Sequence, residues 1–137
     1  MWRWLRPVSG RWAQRALRGR RAEQLAVDYL AAHGYAIVER NVRVPVGEID
    51  VVAREGQTLC FIEVRSTSSE QWGGPLASIT DRKRQHLIRA AQWYLRYSSV
   101  RATETRFDVV AISWRDPEPP TIEVVKGAFT ADGARDA

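Results

Sequence analysis

Apolar residues in the first part of the chain recur with the period of a helix. In the stretch AEQLAVDYLAAHGY, Leu25, Tyr29 and Leu30 combine with two alanines at the i, i+3, i+4 spacing of one helix face. Gly34 follows as a typical helix stop. The pattern therefore predicts a first helix over residues 20–33.

The next segments switch to the composition and alternation of β-strands. YAIVERNVRV predicts an extended segment that ends at Pro45 and Gly47. EIDVVAR and TLCFIEVR come next, and the pair Gly56-Gln57 separates them. Two β-rich runs joined by a glycine-led pair predict a hairpin with a type II′ turn.

The second half of the chain predicts one more helix and two more strands. After the polar loop STSSEQWGGP, an apolar stripe runs through Leu87, Ala91, Tyr94 and Leu95, with Thr80 as the N-cap. FDVVAISW and TIEVVKGAF predict two strands separated by the loop RDPEPP. The expected fold class is α/β, with a mixed sheet flanked by helices in the order α-β-β-β-α-β-β.

The length and composition fit one globular domain. With 137 residues, the chain is predicted to carry a basic arm over 1–19, a single domain over 20–127 and a tail over 128–137. The single Cys60 excludes an intrachain disulfide and lies in an apolar run, which indicates a buried, inert thiol. No apolar run approaches the roughly 20 residues of a membrane span. We expect a cytoplasmic protein without a membrane partner.

The basic charge is concentrated in the arm. Residues 1–22 hold seven arginines and no acid, whereas the whole chain has a formal net charge of +5. An arginine-rich arm with Trp2, Trp4 and Trp12 suits contacts with phosphates and bases. A disordered extension without a ligand has the same composition, so both interpretations stay open.

The predicted hairpin brings several charged residues together. If Gly56 and Gln57 form the turn, Asp50 faces Glu63 on the opposite strand, and the same register puts Glu48 opposite Arg65. Alternation along the strands then places these four side chains on one face. Their apolar neighbours are expected on the other face: Ile49, Val51, Ile62 and Val64.

Two directly opposed carboxylates need a physical explanation. Asp50 and Glu63, close to apolar neighbours, must share a proton, bind a cation or reach bulk water. A divalent ion such as Mg²⁺ is commonly held by one or two carboxylates with waters and substrate phosphate, and Glu23 on the first helix could be a further ligand. The alternative is a solvated acidic hairpin, because a change of register by one residue would dissolve the alignment.

Several motifs in this order resemble a known family. The succession GRRAEQLAVDYLAAHGYAIVERN, GEIDVVA, FIEVR and WGGPLASITDRKRQHLIRAAQWYL resembles the YraN-like family of bacterial predicted endonucleases over roughly residues 19 to 114. That family belongs to the PD-(D/E)xK nuclease superfamily and is similar to archaeal Holliday-junction resolvases. The resemblance implies a restriction-endonuclease-like fold. It also implies a metal-dependent endonuclease that hydrolyses DNA, with branched or junction DNA as a candidate substrate.

The resemblance also implies roles for individual residues. Asp50 and Glu63 would bind Mg²⁺ or Mn²⁺ with Glu23 as the additional acid, and Arg65 would stand at the position of the motif lysine. Glu48 belongs to the GEID signature, and its role is left open. Four basic residues of the second helix are expected to contact nucleic acid: Arg82, Lys83, Arg84 and Arg89. Trp72 is expected either to stack on bases or to cover the sheet edge.

Two departures from the family pattern qualify the expected activity. Arg65 cannot accept a proton, because a guanidinium stays charged in proteins, although it can still orient water or contact a phosphate. Thr67 stands where many members carry a basic residue. A non-catalytic nucleic-acid-binding protein that keeps the nuclease fold is therefore the alternative. A homodimer is suggested only by analogy with resolvases that cut symmetric junctions.

Overall fold

A computed structural model describes residues 10–68 and 79–131, with side chains of the first helix from residue 17 onward. The predicted order α-β-β-β-α-β-β is confirmed. The elements are α1 (Gly10–Ala32), β1 (Tyr35–Val44), β2 (Gly47–Glu55), β3 (Thr58–Thr67), α2 (Asp81–Tyr97), β4 (Glu104–Arg115) and β5 (Glu118–Phe129). Trp2, Trp4, Trp72, the Trp12 side chain and residues 132–137 lie outside the described part.

The strands form one mixed sheet in the order β1-β2-β3-β4-β5. β3 and β4 pair in parallel through the α2 crossover, and the other neighbours pair antiparallel. Each helix covers its own hydrophobic cluster. The α2-side core includes Leu87 with Phe61, and the α1-side core includes Leu30 with Ile62. A sheet with a helix against each of two cores explains why the central strands are almost wholly apolar.

The first helix is longer than the apolar pattern predicts. It begins at Gly10, so part of the arginine-rich arm is helical. Its arginines find partners on the β4–β5 side of the sheet: Arg18 pairs with Asp116 at 3.2 Å, and the Arg21 guanidinium lies 5.1 Å from the Trp114 ring centroid. Such contacts leave no trace in hydrophobic periodicity. Within the described residues, neither helix has the length and apolar character needed to cross a membrane.

The β4–β5 connection is shorter than predicted. The expected loop RDPEPP is a turn of two residues, Asp116 and Pro117, and β5 already begins at Glu118. Pro119 and Pro120 therefore belong to a strand, which corrects the prediction of a loop. β5 lies at the edge of the sheet, where proline is tolerated because one side of the strand needs no ladder partner.

A buried carboxylate, Asp108, stabilises the end of the sheet that holds the β2–β3 turn. Asp108 is fully buried and accepts hydrogen bonds from the Tyr35 hydroxyl at 2.9 Å, the Gly127 backbone N–H at 3.0 Å and the Arg106 guanidinium. Arg106 also pairs with Glu55 at 2.8 Å. This network joins β1, β2, β4 and β5 and satisfies the buried charge, so that end of the sheet is well anchored.

A close approach between β2 and α2 requires glycine at position 47. A Cβ added to Gly47 would lie 3.1 Å from the His86 carbonyl oxygen and 3.5 Å from the Ala90 Cβ. The neighbour is helix backbone that is packed against the sheet, so it can yield only by moving the helix. Gly47 thus sets the distance between α2 and the strand that carries Glu48 and Asp50.

We predict that Gly47→Ala lowers the free energy of unfolding by roughly 1–3 kcal/mol, because the added methyl overpacks this contact. Gly19→Ala is the matched control, since nothing lies within 4 Å of a Cβ at that exposed helical position. The control should raise stability by about 0.5–1 kcal/mol. Urea denaturation of both variants measures the difference, and equal effects would contradict the close packing at Gly47.

Candidate functional site

A cavity of about 250 Å³ lies where the start of β2, the end of β3 and the first turns of α2 meet. Four of the charged residues that the sequence singled out line it: Glu48, Asp50, Glu63 and Lys83. Its lining consists of Gly47, Glu48, Asp50, Glu63, Lys83, His86 and Leu87. The hairpin therefore delivers its acids to the N-terminal half of a basic helix.

The hairpin register is confirmed, but its ladder stops just before the acids. Strand pairing runs from Glu55–Thr58 to Val51–Ile62, and Gly56 has φ +60°, as a type II′ turn requires. Beyond that point the Val64 backbone N–H donates to Asp50 Oδ2 at 2.8 Å. The Asp50 side chain thus takes the place of a backbone acceptor.

The regular alternation of β2 breaks at the same residue. Ile49 packs in the α2-side core, whereas Val51 packs in the α1-side core. Residues two apart share a face in a regular strand, so the expectation that Ile49 and Val51 lie together was wrong. The break continues into β1, where Asn41 has φ 51°. This local twist turns Asp50 toward the cavity.

Asp50 and Glu63 form a tightly coupled pair. Burial, followed by the charge of Glu63, raises the pKa of Asp50 to about 7, although the Val64 N–H opposes this rise. Burial also raises the pKa of Glu63, against the lowering effect of nearby cations. Below about pH 7 the pair therefore keeps a proton, which burial and the charge of Glu63 favour on Asp50. Proton sharing is one of the three outcomes expected for opposed carboxylates.

Two cations flank the same oxygen of this pair. Arg65 Nη1 lies 3.8 Å and Lys83 Nζ 3.9 Å from Glu63 Oε1. Glu48 is not a ladder partner of Arg65, because strand pairing ends earlier. Instead Glu48 lines the cavity, and its charge raises the pKa of Asp50 and Glu63. The site therefore combines an acidic pair, a third acid and two basic groups.

Glu23 reaches this cluster from α1 but is held by a residue of β1. Burial, then the charge of Asp50, raises the pKa of Glu23. With its amide nitrogen turned toward the carboxylate, Asn41 donates to both Glu23 oxygens at 3.2 and 3.0 Å. Among the described residues, no three His, Cys, Asp or Glu side chains converge on one point. Glu23 is thus a close neighbour of the pair and not a converged third ligand.

Asn41 and His86 are residues of this site that the sequence did not single out. Asn is among the few residues that adopt positive φ readily, but a strand pattern gives no hint of that conformation. His86 could have been found, because it lies three positions after Lys83 and so on the same side of α2.

One of the four predicted nucleic-acid contacts does not fit. Arg82, Lys83 and Arg89 are exposed. Arg84 is buried, donates to the Ile79 carbonyl at 2.9 Å and pairs with Asp81. Its guanidinium therefore fixes the start of α2 and is not available to a phosphate. The predicted Thr80 cap completes this helix start, since its Oγ1 accepts from the Lys83 backbone.

Comparison with known proteins places these residues in a family. The model of "Uncharacterised protein family UPF0102" matches residues 22–112, which include Glu23, the acidic hairpin and α2. A "UPF0102 protein" of Desulfosudis oleivorans is 43% identical over 119 residues, covering 87% of this chain and 94% of the relative. Another, of Moorella thermoacetica, is 46% identical over 117 residues, covering 84% and 97%.

The coupled pair predicts an unusual dependence of stability on pH. Between about pH 4 and pH 7 the folded protein keeps a proton on Asp50 that the unfolded chain has released. Stability of the metal-free protein should therefore fall as pH rises through this range. Asp50→Asn keeps the acceptor for Val64 and removes the charge. At pH 8 it should be more stable than wild type by roughly 1–4 kcal/mol.

Denaturant unfolding at pH 4.5 and pH 8 measures this difference. Asp28→Asn is the matched control, because Asp28 is an exposed acid on α1. It should leave the pH dependence unchanged. A wild type that gains stability relative to Asp50→Asn as pH rises would show that the cations beside Glu63 outweigh burial and repulsion.

Proposed function

Since this chain belongs to the uncharacterised protein family UPF0102, we propose its function from the site that it carries: metal-dependent hydrolysis of phosphodiester bonds in DNA. The supporting observation is the coupled pair Asp50–Glu63 in a cavity, with Lys83 and Arg65 beside it. Carboxylates that hold a cation, next to basic groups that can face a phosphate, are the combination this reaction needs.

The donor set of the cavity fits Mg²⁺ or Mn²⁺. Both acids offer hard oxygen donors, and Mg²⁺ is usually held by one or two carboxylates while waters and substrate phosphate complete its shell. A divalent cation would also offset the burial and the charge of Glu63 that together raise the pKa of Asp50. Glu23 is held in place by Asn41, so it would stand beside the ion and not coordinate it directly.

The chain's own residues have distinct roles in this proposal. A bound divalent ion would lower the pKa of a coordinated water and withdraw charge from the phosphate. Asp50 and Glu63 would hold that ion, and the Val64 N–H keeps Asp50 oriented. Lys83 brings an ammonium to Glu63 from α2, so the site has a lysine although Arg65 occupies the motif position. Lys83 contacts the phosphate, and Arg65 orients the attacking water.

A second candidate is a nucleic-acid-binding protein without catalysis. Arg65 and Lys83 both lie within 4 Å of Glu63 and balance its charge without a metal. In that case the acids would serve the architecture of the hairpin, and binding would come from the exposed basic residues of α2.

Cleavage of labelled linear duplex, flap and four-way-junction DNA with Mg²⁺ or Mn²⁺ tests the proposal. Wild type should cut at least one of these substrates, and Asp50→Asn should be at least about 100-fold slower because an ion ligand is lost. Asp28→Asn, the exposed control, should cut like wild type. If wild type binds these DNAs but cuts none of them with either ion, the binding protein is the better account.

The roles of the two cations predict a second comparison. Lys83→Met should lower the cleavage rate by at least about tenfold, since a charge-assisted phosphate contact is lost. Lys83→Arg keeps the charge and should recover part of the rate. Arg65→Lys should cut at least as fast as wild type. If Lys83→Met cuts normally while Arg65→Gln is inactive, the two residues have the opposite roles.

A further inference from the structure

Helix α2 carries an exposed row of basic and aromatic side chains. Five residues recur at the i, i+4, i+7 spacing of one helix face and, with their neighbour Tyr97, form what we call the basic-aromatic stripe: Arg82, His86, Arg89, Trp93, Arg96 and Tyr97. All are exposed except Trp93, which is half-buried. The opposite face of α2 packs in the core, so the stripe is the outer surface of the helix.

The stripe begins at the cavity and leads away from it. His86 lines the cavity together with Lys83. From Arg82 to Arg96 the helix rises about 21 Å, at 1.5 Å per residue. Stacked nucleotides are spaced about 3.4 Å apart along one strand, so this length matches about six of them. A strand held in the cavity could therefore continue along the helix.

The charges of the stripe favour a polyanion. Across residues 10–68 and 79–131, no carboxylate lies within ion-pair distance of Arg82, Arg89 or Arg96. The one acid of α2, Asp81, is paired with the buried Arg84. The arginines thus present uncompensated positive charge along one line, as a phosphate backbone requires.

The aromatic residues favour unpaired bases. Tyr97 is 60% exposed, and its ring centroid lies 4.2 Å from that of Trp93. The Arg96 guanidinium is 5.5 Å from the Tyr97 ring centroid. A large exposed aromatic surface next to arginines is the composition of platforms on which single-stranded bases stack. Bases in a duplex are already stacked and paired, so they could not use it.

We propose that the basic-aromatic stripe binds a single-stranded segment of nucleic acid that continues from the strand in the cavity. The substrate class is then a nucleic acid with a single-stranded tail or arm, and not a fully paired duplex. This inference rests on the proposed function for the placement of the strand in the cavity. The binding itself needs neither the metal nor cleavage.

Fluorescence anisotropy with labelled oligothymidylate, in chelator so that nothing is cut, tests the aromatic part. Wild type should bind it more tightly than a duplex of equal length. Tyr97→Ala should weaken this binding roughly tenfold or more, because one stacked base is lost. Tyr97→Phe keeps the ring and should bind like wild type. Tyr29→Ala is the matched control and should bind like wild type. It also removes a tyrosine ring from a helix, but that ring lies on α1, where it stacks on His33 at 3.9 Å.

Salt dependence tests the basic part. Removing one phosphate contact from a single strand should reduce the slope of log K against log salt by about 0.7. Arg89→Gln should show this reduction. Arg101→Gln is the control and should keep the wild-type slope. Arg101 is exposed but lies outside the stripe, next to β2, where its backbone carbonyl accepts a hydrogen bond from the Arg54 side chain. Equal slopes for Arg89→Gln and wild type would overturn the assignment of the stripe.

The outcomes separate this inference from the proposed function. If wild type never cuts DNA but Tyr97→Ala loses oligothymidylate binding, the stripe stands and the enzymatic proposal fails. If wild type cuts duplex DNA and Tyr97→Ala binds oligothymidylate normally, the stripe fails and the enzyme stands. Sedimentation adds one more test. A doubled mass that Tyr97→Ala abolishes would show that a second copy covers this face, and that result would overturn the inference.

Discussion

The hydrogen bond from the Val64 backbone to Asp50 Oδ2 is the contact on which the site depends. It stands where the β2–β3 ladder would otherwise continue past Val51 and Ile62, so the strands stay connected although their pairing has ended. The twist that accompanies it turns Asp50 toward Glu63. Without this bond, the strands beyond the ladder would have an unpaired backbone N–H and an unconstrained, partly buried carboxylate.

The acids at the two ends of the sheet differ in how well their charge is compensated. Asp108 is fully buried, yet it is balanced by Arg106 and by hydrogen bonds from three directions. At the other end, burial raises the pKa of both Asp50 and Glu63, and the charge of Glu63 raises that of Asp50 further. A well-satisfied network at one end can support an electrostatically costly arrangement at the other. Electrostatically unfavourable clusters of this kind are expected at binding and catalytic sites.

Sequence patterns predicted the elements that depend on local chemistry. The glycine-led turn predicted the register of β2 and β3 up to the Val51–Ile62 pair, next to Asp50 and Glu63, and the N-cap Thr80 marked the start of α2. Patterns failed where tertiary contacts decide. The positive φ of Asn41 and the burial of Arg84 follow from what lies across the sheet and beneath the helix, which composition does not record. The predicted start of α1 at residue 20 was wrong for the same reason, since the helix begins at Gly10.

The proposed metal site accounts for the acidic pair, the flanking cations and the twist of β2 together. The most direct measurement is anomalous X-ray scattering from crystals grown with Mn²⁺. We expect one strong anomalous peak within coordination distance of both Asp50 and Glu63, at about 2.0–2.6 Å from their oxygens. The same crystals of Asp50→Asn should lack it. Wild-type crystals at saturating Mn²⁺ that show no peak between these two carboxylates would contradict the account.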